Sequence, residues 1–205
     1  MCFEILQSKG KMSTSKIFIK KIFTAKLLAK DLWFLMTRSP KISGVFRDKS
    51  ISRTFMEKIM MVTTAVNGCV YCEWFHAKQA VESGISEQEV RNMLNLQFQA
   101  DTTEFETVAL LYAQHFAETN RNPDLEMTKK LFDYYGEKTA NHIILVIRMI
   151  YFGNLYGNTW DAVISRFRGV PAPNSNIIFE FFYFLINAPL MVPAMIFMKL
   201  EKKKI

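Results

Sequence analysis

Residues 57–76 read EKIMMVTTAVNGCVYCEWFH. Glu57 begins an apolar run, Asn67-Gly68 interrupts it, and Cys69, Cys72 and His76 follow. Glycine readily takes the left-handed conformation that ends helices, so the segment reads as helix, break, helix. On a helix, residues three, four and seven apart share a face. The second helix therefore presents both thiols and the imidazole on one side. The pair also sits at the helix start, where unpaired N–H groups favour thiolate.

Thiolate is the reactive form of cysteine. It attacks a peroxide oxygen to give a sulfenic acid, which a neighbouring thiol condenses to a disulfide. It also attacks an external disulfide. Both routes need an attacking and a resolving thiol, and C-x-x-C supplies them. His76 follows Cys72 by one turn, placed to take its proton, and Glu57 can orient His76 and stabilise its charged form. A thioredoxin-like site calls for a strand before the motif, whereas the preceding segment reads as helical. A structural zinc site calls for a fourth ligand. Cys69, Cys72 and His76 offer three, and no second C-x-x-C or histidine pair completes the set. The redox reading is preferred over zinc, and neither metal nor cofactor is expected.

Half of the 205 residues are hydrophobic and 22% are charged, enough for a sizeable core and against global disorder. Sparse Gly and Pro favour helices over many-turned sheets. The net charge is +7, concentrated towards the ends: Lys9, Lys11, Lys16, Lys20, Lys21, Lys26 and Lys30, then Lys199 and Lys202 to Lys204. No zinc-finger, RNA-recognition or helix-turn-helix signature supports nucleic acid as a partner. Three cysteines are too few for a disulfide framework. A close pair in a Cys-poor chain suits a reducing, cytoplasmic setting. Lysines interrupt the apolar residues of the N-terminus, which does not read as a signal peptide.

Along the chain, Ser13 or Ser15 caps an expected helix to about Met36, with Ile19, Ile22, Phe23, Leu27 and Trp33 near one face. Ser39-Pro40 is expected to stop it, and 41–49 to connect to a helix over about Ser50–Val66. The second helix of the motif ends near Glu82 at Gly84. Ser86 and Glu89, then Thr103 and Glu106, are capping-box signatures for helices to about Leu96 and Glu118. NRNPD, residues 120–124, is a turn. A helix over Leu125–Tyr135 ends at Gly136. A long apolar helix spans Thr139–Ile164, where Gly153 and Gly157 permit close backbone approach. Residues 169–174 form a linker.

Two segments invite a membrane reading. The first helix is basic and amphipathic; packing on its own domain, with lysines in water, is the preferred reading and surface attachment the alternative. In the tail, Phe181–Met198 is eighteen residues without a charge, at the lower limit for a span, and it ends in KLEKKK. Membrane contact and a broken helical arm packed on the domain or on a neighbouring subunit stand equally.

Other polar and aromatic residues have ordinary explanations. Cys2 is a bystander. His115 reads as a polar-surface or satisfied core histidine, and His142 can reach the site only through the fold. Trp74 and Phe75 read as core or interface, and the methionines as adaptable filler. Asn154, Asn158 and Asp161 suit either a pocket lining or interhelical hydrogen bonds.

Glu57, Cys69, Cys72 and His76 match E-x11-C-x2-C-x3-H, and the chain resembles the alkylhydroperoxidase D (AhpD-like) family of the carboxymuconolactone decarboxylase-like superfamily. NGCVYC and HAKQAVESGIS are similar as well. The resemblance covers about Ser50–Phe167, with its specific part in Glu57–Ser86, and leaves out the first forty residues and the tail after Gly169. It implies an all-α fold that assembles as trimers or hexamers. It implies peroxide reduction through a Cys69–Cys72 disulfide, with Glu57 and His76 as proton relay and a partner thiol as reductant. The decarboxylase branch generally lacks the cysteine pair. One departure is Tyr71, where alkylhydroperoxidase D often has histidine; tyrosine does not titrate near neutral pH.

The resulting expectation is an all-α protein in three parts: a basic amphipathic helical extension (1–40), an alkylhydroperoxidase D-like domain (41–168), and a Pro-containing linker with an apolar tail (169–205). The expected activity is thiol-dependent reduction of hydroperoxides. The alternatives are a protein disulfide reductase or relay, and a membrane-associated redox-sensing binding protein.

Overall fold

The computed structural model describes residues 17–48, 50–173 and 175–203, and within them the chain is all-α with no strand. Cys2, Ser13, Ser15, Lys9, Lys11, Lys16, Asn174 and Lys204 lie outside the described residues. The helices are α1 (Ala25–Arg47), α2 (Arg53–Asn67), α3 (Val70–Glu82), α4 (Glu87–Leu94), α5 (Glu104–Glu118), α6 (Leu125–Phe167) and α7 (Ile177–Lys203).

α2 is the central element, packed by α3, α4, α5 and α6. Phe55, Met56, Ile59, Met60, Met61 and Val62 are all buried. Its buried residues fall on every side of the helix, Glu57, Lys58, Thr63 and Thr64 among them, so its neighbours enclose it. Ser52 caps its start by accepting the Phe55 N–H, and Gly68, left-handed at φ 68°, ends it. Both expected capping boxes form, at Ser86/Glu89 and Thr103/Glu106. α6 carries the expected break at Gly136, where φ is 72° and ψ 167°.

The N-terminal helix departs from its expected bounds. Residues 17–24 are not helical, and α1 starts after Thr24, whose hydroxyl accepts the Leu27 N–H. Tertiary contacts outweigh the helical periodicity here. Phe23 is buried and donates its backbone N–H to Thr159 Oγ1 (2.9 Å), while Lys20 reaches Asp161 (2.6 Å). Ile19 and Trp33, expected on a packed face, are 85% and 68% exposed.

Nor does Pro40 stop the helix, which continues to Arg47 through the expected connection. Proline lacks the N–H that would bond the carbonyl one turn earlier. Ser39 Oγ donates to that carbonyl, Met36 O, at 3.0 Å, and Ser43 Oγ donates to Pro40 O at 3.0 Å. The Ser39 hydroxyl thus replaces the donor missing at Met36 O.

α7 continues through Pro189 and Pro193, both on its exposed side. Its other side docks on α6: Tyr183 and Met191 are buried with Trp160 and Val163. Trp160 Nε1 donates to Met195 Sδ (2.8 Å), and Tyr183 donates to the Tyr156 carbonyl (2.7 Å). Glu180, 2% exposed, pairs with Arg166, and Lys78 on α3 reaches Glu201 (3.0 Å).

Removing one partner of a buried ion pair leaves an uncompensated charge. Arg166→Ala is expected to cost about 3 kcal/mol in urea unfolding, because the Glu180 carboxylate stays buried without its cation. Arg166→Met combined with Glu180→Leu is expected to recover most of that loss, since the buried charge goes with its partner.

Candidate functional site

The site forms where α2 turns into α3 against the middle of α6. Left-handed Gly68 ends α2 and leaves Cys69 in extended conformation, φ −83° and ψ 105°, as the N-cap of α3. A cysteine thus fills the position that Ser, Thr, Asp or Asn ordinarily take. The Cys72 N–H donates to Cys69 Sγ at 3.4 Å. The cap brings the two sulfurs together: Cys69 Sγ–H donates to Cys72 Sγ at 2.9 Å, with both cysteines free.

α6 meets this junction with one face, carrying Gly153, Asn154, Gly157, Asn158 and Asp161. Gly157 is required by space. A Cβ there would lie 2.6 Å from Cys69 Sγ and 3.0 Å from Tyr71 Cδ2. The carboxamides hold the backbone. Asn158 Nδ2 donates to Asn67 O (2.8 Å), and Asn67 Nδ2 donates to Asn154 Oδ1 (3.1 Å). Asn154 Nδ2 donates to Thr64 Oγ1 (2.9 Å), and the same side chain bonds Cys72. Asn154 and Asn158 are fully buried. They therefore act as interhelical ties, and Asn154 is also a direct partner of the thiol. The repeated Gly-Asn pair at a four-residue spacing, GNLYGN, is the sequence signal for this face.

The two thiols differ in acidity. The Cys69 S–H bond to Cys72, followed by the Asn154 hydrogen bond, favours the Cys72 thiolate against burial and holds its pKa below an ordinary thiol. Cys69 is pushed up, first because it is the donor of that bond and then by burial, against the opposing Cys72 N–H. Cys69 is 0% exposed, whereas Cys72 is only part-buried. The arrangement therefore sets a part-exposed thiol of lowered pKa beside a buried thiol of raised pKa.

Glu57 and His76 form a second pair, Nδ1 to Oε2 at 2.7 Å, with both side chains largely buried. Among the described residues no hydrogen bond joins His76 to either cysteine. His76 lies one turn beyond Cys72, roughly 6 Å along the helix axis. The four residues singled out by spacing thus stand as two pairs, the thiols at the start of α3 and His76, one turn further along α3, against Glu57 of α2.

Tyr71 donates to Asp161 Oδ1 (2.8 Å), and Asp161 also receives Lys20. Burial and the Asp161 charge push the phenol up, so it stays protonated. His142 faces Asp48 at 3.6 Å rather than the cysteines, and His115 Nε2 accepts the Asp124 N–H at 3.1 Å. Trp74 packs edge-on against Phe197 of α7, while Phe75 is 50% exposed.

A family model described as carboxymuconolactone decarboxylase family matches residues 42–115. The match spans the end of α1, then α2, α3 and α4, and most of α5, including Glu57, Cys69, Cys72 and His76. No curated protein matches the chain.

Gly157→Ala is expected to cost about 1–3 kcal/mol in chemical unfolding through overpacking against Cys69. Gly153→Ala, whose Cβ would meet Cys72 Sγ at an ordinary 3.9 Å, is expected to be neutral or stabilising. The Cys72 thiol is expected to reach half-maximal iodoacetamide labelling below the pH of an ordinary cysteine. Cys69→Ala and Asn154→Ala should each raise that midpoint by removing a donor to the thiolate, as read by mass spectrometry of the labelled peptide.

Proposed function

On the match of residues 42–115 to the carboxymuconolactone decarboxylase family model, we propose that the chain is a thiol-dependent hydroperoxide reductase. The family includes decarboxylases and peroxidases. The observation that carries the peroxidase reading is the contact of two unequal thiols, the accessible one holding the lowered pKa.

In this reading Cys72 gives its proton to His76 through one bridging water, and Glu57 compensates the imidazolium. The Cys72 thiolate attacks the distal oxygen of the hydroperoxide. The S–O bond forms, the O–O bond breaks, and the leaving alkoxide takes the proton from His76 to become the alcohol. Cys72 is now a sulfenic acid. Cys69 attacks its sulfur, hydroxide leaves as water with the Cys69 proton, and the disulfide closes. Two thiols of an external reductant restore the pair by exchange. The sum is one hydroperoxide and two reductant thiols giving alcohol, water and one reductant disulfide. Tyr71 takes no proton in this scheme because its phenol stays protonated.

A second reading, disulfide exchange with a protein partner, draws on Val70 and Phe75. Both are exposed apolar residues beside the cysteines, at 41% and 50%, and offer a contact rim for a protein.

Purified protein with a dithiol reductant is expected to consume an organic hydroperoxide catalytically. Cys72→Ser abolishes consumption. Cys69→Ser stops turnover after one equivalent and leaves Cys72 as a sulfenic acid. His76→Ala lowers the rate by about 10²–10⁴. Sustained turnover in both cysteine variants sinks the mechanism. Slow peroxide reaction beside fast exchange with a protein disulfide favours the second reading.

A further inference from the structure

The two faces of α7 have opposite destinies. Its inner stripe, Glu180, Tyr183, Asn187, Met191, Met195 and Met198, follows the three- and four-residue spacing of a packed helix face. That stripe is fastened from end to end by side chains of the domain: Arg166 to Glu180, Tyr156 to Asn187, and Lys78 to Glu201. Trp160 and Trp74 pack between these ties, against Phe184 and Phe197. A helix held this way at both ends lies along the domain and does not leave it to cross a bilayer.

The outer face is apolar throughout. Phe181, Phe182, Leu185, Ile186 and Leu190 are 52–75% exposed. The 27-residue helix extends this surface over roughly 40 Å, and contiguous apolar surface on that scale marks an interaction site. Its charge pattern selects the occupant. Both acids of α7, Glu180 and Glu201, are turned inward and paired. On the outer side, Lys199 is exposed, and the sequence continues as Lys202 to Lys204. At the other end an open groove of about 570 Å³ joins α7 to the start of α1, lined by Phe23, Lys26, Asn176, Ile178 and Phe182. Cations therefore border the apolar face at both ends, with no acid on the face itself. A second copy of this chain would bring the same cations to the seam and repel. An anionic lipid surface meets the lysines with opposite charge and the apolar band with acyl chains.

We propose that the outer face of α7 docks this protein in the plane of an anionic membrane, sunk to the headgroup–acyl boundary, with α7 remaining packed on the domain. Membrane contact is then peripheral and independent of cysteine chemistry.

The test is flotation of the full chain with vesicles of phosphatidylcholine alone and of phosphatidylcholine mixed with phosphatidylglycerol. The protein is expected to float with the anionic vesicles, less as salt is raised, and to be stripped by an alkaline carbonate wash. The variant Phe182→Glu with Ile186→Glu is expected to bind roughly a hundredfold more weakly. Both positions are exposed, so its circular dichroism and unfolding midpoint should match the parent. Failure of the parent to float overturns the proposal. So does a soluble dimer that the variant dissociates without vesicle binding by the parent. Retention through the carbonate wash overturns the in-plane placement, and equal binding to neutral vesicles overturns the charge argument.

Discussion

The buried carboxamides of Asn154 and Asn158 hold the α2–α3 junction against α6, and the cysteine pair depends on that hold. Gly68 lets the chain turn, but a turn between two helices can settle in several positions. Asn158 grips the carbonyl of Asn67, the last residue before the turn. Asn154 grips the Asn67 side chain and Thr64 and also bonds Cys72. These polar groups are buried, so leaving any of those bonds unmade would cost about 1–3 kcal/mol. The junction makes these bonds together and, among the described residues, leaves the Asn67 and Asn158 carboxamide oxygens without a partner.

That placement converts a sequence motif into two chemically different thiols. Cys69 serves as a helix cap, and capping directs its sulfur to the N–H of Cys72, beside the Cys72 sulfur. Gly157 leaves the space this requires. The helix terminus alone would favour thiolate at the cap. Donation of the Cys69 S–H to Cys72, reinforced by burial, raises the Cys69 pKa instead, and the same bond lowers that of the more open Cys72. The helix end and the thiol–thiol bond thus act in opposition at Cys69, and the bond, reinforced by burial, decides the outcome.

The same division between packed and open faces extends to α7. Polar groups on its inner stripe are all engaged with the domain, which leaves its outer stripe purely apolar. Pro189 and Pro193 sit on that outer side, away from the packed seam. Helix packing on one side therefore concentrates hydrophobicity on the other. The cysteine pair and the tail meet at Trp74, whose ring touches Phe197 on α7 from the helix that carries Cys72.

Local chemistry made much of this molecule readable. Capping boxes at Ser86 and Thr103, the glycine ends at Gly68 and Gly136, and the apolar periodicity of α2 each act within a few residues, where sequence order equals spatial order. The cysteine spacing likewise placed both sulfurs on one turn. Other features arose from contacts between distant residues. Phe23 and Lys20 draw the N-terminal segment out of helix because Thr159 and Asp161 wait for them on α6. Ser39 and Ser43 donate to carbonyls around Pro40, so a residue that ordinarily ends a helix does not. The bond from Asn154 to Cys72 joins residues far apart in the chain, and their relation exists only after α6 packs on α2. Periodicity reports which face of a segment is apolar. Which partner covers that face, and which polar atom meets a thiol there, is set by packing across the fold.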